Sequence, residues 1–180
     1  LAFPRASFDL VLISNALHHL AEPEESIQEM MRVLKPGGLF MLREMYRDLQ
    51  QGARRVHVDV HHWWACVDQL RGIPHFQTYT RRELIEITEK LGLSDVVIMD
   101  IDENDSLSND PGTIQAIEQK INESIEWLRE NSDTRDLIQQ GENLKERLHG
   151  EGFFSATKLL AAGIKPEDTN PAAEDPGPGC

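Results

Sequence analysis

The sequence predicts an α/β fold in which a parallel sheet carries additional helices. A near-continuous apolar run at residues 8–13 is typical of a strand that is buried on both faces. A helical pattern follows at residues 22–34, and a second apolar run at residues 39–42 comes directly after the turn sequence KPGG. Strand, helix and strand with short connections indicate a βαβ unit, which is right-handed in nearly all proteins.

The next segment carries two competing patterns. At residues 50–71 the alternation VHVDV is compatible with a strand, whereas apolar residues at spacings of three and four indicate a helix. The helical pattern covers more residues, so we expect a helix. A capping box, Thr80 to Glu83, begins another helix that ends at Gly92. Residues 95–101 are rich in β-branched side chains and predict a strand.

Residues 106–150 predict a helical insertion. Isoleucines at helical spacing form a stripe in its first helix, and Ser132 or Asp133 is the expected cap of its second. Such a stripe must be buried, and a lid or a dimer surface would bury it. Residues 153–164 predict the last strand, so we expect one domain over residues 1–165. The remaining residues, 166–180, are rich in proline and acidic side chains and predict a disordered tail.

The composition argues against several partners. The chain has 18 Lys and Arg against 31 Asp and Glu, and this net charge of −13 repels nucleic-acid backbones. Basic residues cluster only at Arg54-Arg55 and Arg81-Arg82. No apolar run approaches the length of a membrane span, and two cysteines fit a reducing cytoplasm. We therefore expect a cytoplasmic protein with no nucleic-acid or membrane partner.

The opening segment, LAFPRASFDLVLISNALHHLAEPEESIQEMMRVLKPGGLFMLRE, resembles the second half of the small-molecule class I S-adenosylmethionine-dependent methyltransferases. The resemblance implies the C-terminal half of a Rossmann-like methyltransferase sheet, mostly parallel with an antiparallel last strand. The glycine-rich cofactor loop of that family and the acidic residue that holds the ribose have no counterpart in these 180 residues. We expect the loop to lie in a segment that precedes Leu1, with Leu1 as a truncated start.

The resemblance also implies a function. S-adenosyl-L-methionine would be the cofactor, and a small molecule would be the methyl acceptor. Ser14, Asn15 and Ala16 would bind the cofactor, since ligands of open α/β sheets lie at the carboxyl ends of strands. The alternative is a non-catalytic remnant or interaction half-domain. Its first strand would be an exposed edge, which favours a homodimer.

Candidate catalytic residues follow the first strand directly. His18 and His19 titrate near neutral pH, so either could accept a proton from a hydroxyl or an amine. In the alternative interpretation they cap the loop and the helix below it. Glu44 and Tyr46 follow the second predicted strand and are expected to line the acceptor site, although Glu44 could equally be solvated.

The histidines of residues 50–71 raise the question of a metal. His57 and His61 share one helix face, but Asp59 lies half a turn away and points elsewhere, so we predict no metal site. His57, His61 and Trp64 instead form a polar stripe beside the apolar one. We expect that stripe to face the methyl acceptor.

Overall fold

The computed structural model describes residues 1–102, 110–131 and 134–167. Over these residues the chain forms a four-stranded sheet with the strands β1 (Phe8–Ser14), β2 (Leu34–Met45), β3 (Ser94–Ile101) and β4 (Lys158–Ile164). The helices are α1 (Pro23–Val33), α2 (Gly52–Leu70), α3 (Arg81–Glu89), α4 (Pro111–Asn131) and α5 (Arg135–Glu151). A short 3₁₀ helix, Leu17–His19, follows β1.

The strand order across the sheet is β1-β2-β4-β3. β1 and β2 are parallel, and β4 lies antiparallel between β2 and β3, so that β1, β2 and β3 run in one direction. This arrangement confirms the prediction of a mostly parallel sheet with an antiparallel last strand. β4 is shorter than predicted, because residues 153–157 approach the sheet without joining it.

Helix α1 ends at Val33, directly before the KPGG segment as predicted, but the turn expected there lies within a strand. β2 already begins at Leu34, and the pairing with β1 jumps from Phe8–Leu34 to Leu10–Leu39. The intervening residues therefore bulge out of the strand. Gly38 is needed in this bulge because an added Cβ would lie 2.6 Å from Leu34 Cδ1 and 2.8 Å from a backbone oxygen.

Among the described residues, helices cover one face of the sheet and leave most of the other face open. α1 and α3 pack on the first face, where Ile13, Phe40 and Leu159 are almost fully buried. On the second face the cross-strand pairs place Leu12, Met41, Ala162 and Val97 in one row. Leu12 and Val97 are about half exposed. We call this second surface the open sheet face.

The other helices form a core of their own. One side of α2, including Val60 and Trp63, packs against α4 and α5. The helix predicted at residues 50–71 is thus confirmed, and the isoleucine stripe of α4 is buried within this chain rather than in a dimer. The expected caps Ser132 and Asp133 lie outside the described residues, as do residues 168–180 of the predicted tail.

The arginines of the two predicted basic pairs are each paired with an acidic side chain. Each arginine of the two predicted pairs lies within 3.4 Å of a carboxylate oxygen, in the ion pairs Arg54–Asp102, Arg55–Asp59, Arg81–Asp100 and Arg82–Glu86. Paired in this way, they present little free positive charge to a phosphate backbone. Across the described ranges, no helix is both long and apolar enough to span a bilayer.

Candidate functional site

The candidate site begins where β1 ends. Asn15 adopts a left-handed conformation, with φ of 46°, which asparagine tolerates better than most residues. Its backbone N–H donates to the carbonyl of Arg43 on β2 at 2.8 Å. The chain then turns into the 3₁₀ helix, which carries His18 and His19. This turn places both imidazoles beside the carboxyl ends of two parallel strands, the usual location of ligand sites in α/β sheets.

A buried carboxylate fixes the orientation of His18. Glu44 is fully buried, and its Oε2 accepts the backbone N–H groups of Ala16 and Leu17 at 3.1 and 2.8 Å. Its Oε1 lies 2.8 Å from Nδ1 of His18. Since an ionised carboxylate can only accept hydrogen bonds, Nδ1 carries the proton in the neutral imidazole. Nε2 is therefore left with its lone pair.

His18 also lines a small cavity. Nε2 is buried and has no hydrogen-bond partner among the described residues. The cavity has a volume of about 140 Å³ and is lined by Asn15, His18, His19, Met45, His57, His61 and Lys158. Because buried polar atoms are nearly always hydrogen-bonded, an unpartnered basic nitrogen indicates a position for a ligand or substrate.

Two further histidines approach from α2 and from the loop that follows it. His61 Nε2 lies 3.0 Å from His75 Nε2, and His75 Nδ1 lies 2.8 Å from Asp68. The ring centroids of His18 and His61 are 4.7 Å apart. Burial lowers the pKa of His61 to about 2, and burial also lowers the pKa of His19. These two imidazoles are therefore neutral at pH 7.

Another histidine of α2 joins the wall of the cavity. His57 Nδ1 accepts the backbone N–H of Ala156 at 2.9 Å. Burial and the charge of Lys158 lower the pKa of His57 to about 4. His57 and His61 thus both line the cavity, and their contact with an acceptor stays a prediction. Trp64 packs against the helical core instead and is absent from the cavity lining.

Two expected acceptor-site residues are absent from the lining of the cavity. Glu44 lies behind His18, and it is fully buried rather than solvated, with both of its oxygens accepting hydrogen bonds. Tyr46 is buried in the core of the sheet, where desolvation raises its pKa. The cofactor assignments stay predictions: Asn15 lines the cavity, Ser14 Oγ accepts from Arg43, and the Ala16 N–H is bound by Glu44.

Two other polar side chains of α2, Asp59 and His62, have partners of their own. Asp59 is held by Arg55 at 2.8 Å and by Arg147 at 2.7 Å. His62 Nε2 instead accepts the backbone N–H of Thr78 at 3.2 Å. The sequence argument missed His75, which lies in a segment without periodicity, so no pattern linked it to His61.

Comparisons with known proteins identify the class of this fold. Residues 1–42 match the family model described as "Methyltransferase domain". A cyclopropane-fatty-acyl-phospholipid synthase-like protein from Lactobacillus casei has a similar structure, with a TM-score of 0.60 and 13% identity over 91% of this chain and 57% of that one. The chain has the fold of the class I S-adenosylmethionine-dependent methyltransferases. Its residues 1–42 are similar to the methyltransferase domain family.

Curated relatives are much longer than this chain. A polyketide synthase-nonribosomal peptide synthetase of Aspergillus clavatus is 26% identical over 133 residues, which cover 73% of this chain and 3% of that protein. The highly reducing polyketide synthase sthA of Phaeosphaeria nodorum is 32% identical over 71 residues, or 38% of this chain and 2% of that protein. The chain thus corresponds to a small part of these synthases.

Proposed function

We propose that this chain is the acceptor side of an S-adenosylmethionine-dependent methyltransferase that acts on a small molecule, with His18 as its general base. The observation that carries the proposal is the buried, unpartnered Nε2 of His18, a residue that lines the cavity at the end of β1. When bound, S-adenosylmethionine supplies an electrophilic methyl group on a cationic sulfur. Asn15 at the strand end fits the side of the pocket next to this group.

His18 would receive the acceptor's proton at Nε2. The resulting imidazolium would still donate from Nδ1 to Glu44, whose negative charge stabilises it. Two backbone N–H groups hold Glu44 in place, so the pair is oriented before the acceptor arrives. Glu44 touches neither substrate nor cofactor in this mechanism and is a positioning residue.

The strength of the base bears on the class of acceptor. A neutral imidazole is a weak base, which suits an acidic proton such as that of a carbon between two carbonyl groups better than that of an alcohol. The fungal relatives are polyketide synthases by name. We therefore assign the acceptor to the 3-oxoacyl intermediates of polyketide synthesis. A cytoplasmic location also stays part of the proposal.

Cofactor binding and the role of the base can be tested separately. Calorimetric titration with S-adenosylhomocysteine should show binding to an N-terminally extended chain that includes the glycine-rich loop, and little or none to residues 1–180 alone. No binding by the extended chain would overturn the enzyme assignment. In the extended chain, His18→Gln should retain this binding while losing methyl transfer to an N-acetylcysteamine 3-oxoacyl thioester, read as the mass gain of one methyl group.

A matched control completes this test. His149 on α5 is exposed and pairs with Glu118, so His149→Gln should leave both binding and transfer unchanged. Transfer by His18→Gln at the wild-type rate would exclude His18 as the base. Transfer by the wild type to an alcohol acceptor, with none to the thioester, would contradict the acceptor class and leave the enzyme class intact.

One observation favours the second candidate, a non-catalytic interaction half-domain. The open sheet face is apolar, and β1 has no strand on its outer side among the described residues. Such edges and faces pair readily with another chain. A stable homodimer of residues 1–180 in size-exclusion chromatography, together with an extended chain that does not bind S-adenosylhomocysteine, would support this candidate over the enzyme.

A further inference from the structure

Four imidazoles from separate parts of the chain meet beside the candidate base. One ring nitrogen from each of His18, His19, His61 and His75 lies within 4.8 Å of all the others. Two of these residues come from the 3₁₀ helix after β1, one from α2 and one from the loop after α2. We call this group the histidine cluster. It unites side chains that are up to 57 positions apart in sequence.

The spacing of the cluster is close to that of a metal site. Imidazole nitrogens bind zinc at about 2.0–2.1 Å, which places two ligands of a tetrahedral site roughly 3.3 Å apart. His61 and His75 have their Nε2 atoms 3.0 Å apart, and the widest separation in the cluster is within 4.8 Å. Side-chain rotations that move each nitrogen by about 1 Å would complete a tetrahedron.

Carboxylates behind the cluster orient two of its members. Glu44 accepts from Nδ1 of His18, and Asp68 accepts from Nδ1 of His75, each at 2.8 Å. Both histidines therefore direct the lone pair of Nε2 into the cluster. This carboxylate–histidine pairing is the usual support of metal-binding imidazoles, because it fixes the tautomer and raises the basicity of the ligand. The two carboxylates also provide negative charge to balance a divalent cation.

One nitrogen atom in the cluster lacks a hydrogen-bond partner among the described residues, and two others share a single proton. Nε2 of His18 is buried without any hydrogen bond among the described residues. Nε2 of His75 can only accept, so the close contact with His61 requires a proton on Nε2 of His61. A metal ion would take the place of that proton, which would move to Nδ1 of His61. The same ion would also bind the lone pair on His18.

We propose that the histidine cluster is a binding site for a divalent transition-metal ion of the zinc type, with His18, His61 and His75 as ligands and His19 as the fourth. One nitrogen cannot bind a metal and accept a proton at the same time. Metal binding therefore blocks the base, and the site is inhibitory. This inhibitory role rests on the proposed function, whereas metal binding itself does not.

Metal binding can be measured on residues 1–180 without any activity. The chain is first treated with EDTA to remove any metal and is then titrated calorimetrically with Zn²⁺ or Mg²⁺. We expect one saturable Zn²⁺ site and no comparable Mg²⁺ site, since magnesium prefers oxygen ligands. Asp68→Asn should weaken Zn²⁺ binding by roughly 10–100-fold, and His61→Ala and His75→Ala by at least as much. His149→Ala, an exposed histidine outside the cluster, is the matched control and should bind Zn²⁺ as the wild type does.

The outcomes separate the two parts of the proposal. Absence of a saturable Zn²⁺ site, or wild-type affinity in folded Asp68→Asn and His75→Ala, would overturn the site. Circular dichroism identifies folded variants, and the near-isosteric Asp68→Asn keeps the test decisive if an alanine variant unfolds. In the extended chain, one equivalent of Zn²⁺ should abolish methyl transfer and EDTA should restore it. Full activity with bound Zn²⁺ would refute the inhibitory role, whereas an inactive metal-free enzyme would refute the proposed function alone.

Discussion

Replacement of Glu44 by glutamine tests the central arrangement of the candidate site. The carboxylate accepts three hydrogen bonds in a fully buried position, and glutamine offers one oxygen and one NH₂ group. We expect the oxygen to keep the N–H groups of Ala16 and Leu17, so that the NH₂ group faces Nδ1 of His18. Nδ1 must then become an acceptor, and the proton of the imidazole moves to Nε2.

The expected magnitudes follow from this rearrangement. Loss of one charge-assisted hydrogen bond should reduce the free energy of unfolding by about 1–3 kcal/mol, which lowers the melting temperature by about 2–4 °C for each kcal/mol. Methyl transfer by the extended chain should fall by roughly 10²–10⁴-fold, because Nε2 no longer has a lone pair. The free energy of unfolding is measured by urea denaturation and the tautomer by the ¹⁵N chemical shifts of His18.

A matched variant measures the effect of removing a carboxylate from an exposed ion pair. Glu86→Gln removes one carboxylate from an exposed pair with Arg82 and should change the free energy of unfolding by less than about 1 kcal/mol. The reasoning is refuted if Glu44→Gln leaves the proton of His18 on Nδ1, or if it unfolds at the same urea concentration as Glu86→Gln.

Three other changes test the packing and the pH dependence. Gly38→Ala should lower the free energy of unfolding by about 1–3 kcal/mol, because the added Cβ would overlap Leu34. Gly150 has open space around it, so the control variant Gly150→Ala should not destabilise the fold. Equal urea midpoints for the two variants would contradict this prediction. Ile121→Ala should lower the free energy of unfolding by about 2–5 kcal/mol, since Ile121 is fully buried in the helical core. A smaller decrease would mean that this core is less tightly packed than described. His57 has a pKa of about 4 in the folded chain and about 6.5 when unfolded. Its neutral form therefore contributes fully to the free energy of unfolding above pH 6.5, and this contribution is lost as the pH falls towards 4. The loss is about 3 kcal/mol at most. His57→Gln should flatten the dependence of the urea midpoint on pH over this range. An unchanged slope would contradict the assignment of this pH dependence to His57.

Local patterns in the sequence were sufficient for most of the fold. The apolar run of β1, the capping box of α3 and the apolar stripe of α2 each depend on residues close together in the chain, and each element formed where its pattern predicted. The start of β2 could not be predicted in this way. It depends on pairing with Phe8, a contact between strands that helical spacing and turn residues do not record.

The site was predictable only in part for the same reason. His18 and His61 lie in segments with clear patterns, so their positions at a strand end and on a helix face followed from the sequence. The role of Glu44 depends on a distance of 2.8 Å between β2 and the 3₁₀ helix, and that of His75 depends on the path of an aperiodic loop. These relations are tertiary, and the resemblance to a family carried the assignment of function.

The order of the strands has a consequence for how the chain assembles. β4 is the last of the described strands in sequence, yet it occupies an inner position between β2 and β3. During synthesis β3 has no described strand to pair with until Lys158–Ile164 has left the ribosome, and α4 and α5 are made in the interval. Folding of the sheet therefore waits for contacts that are distant in sequence, which slow folding. A chain shortened before Lys158 would lose the centre of the sheet rather than an edge.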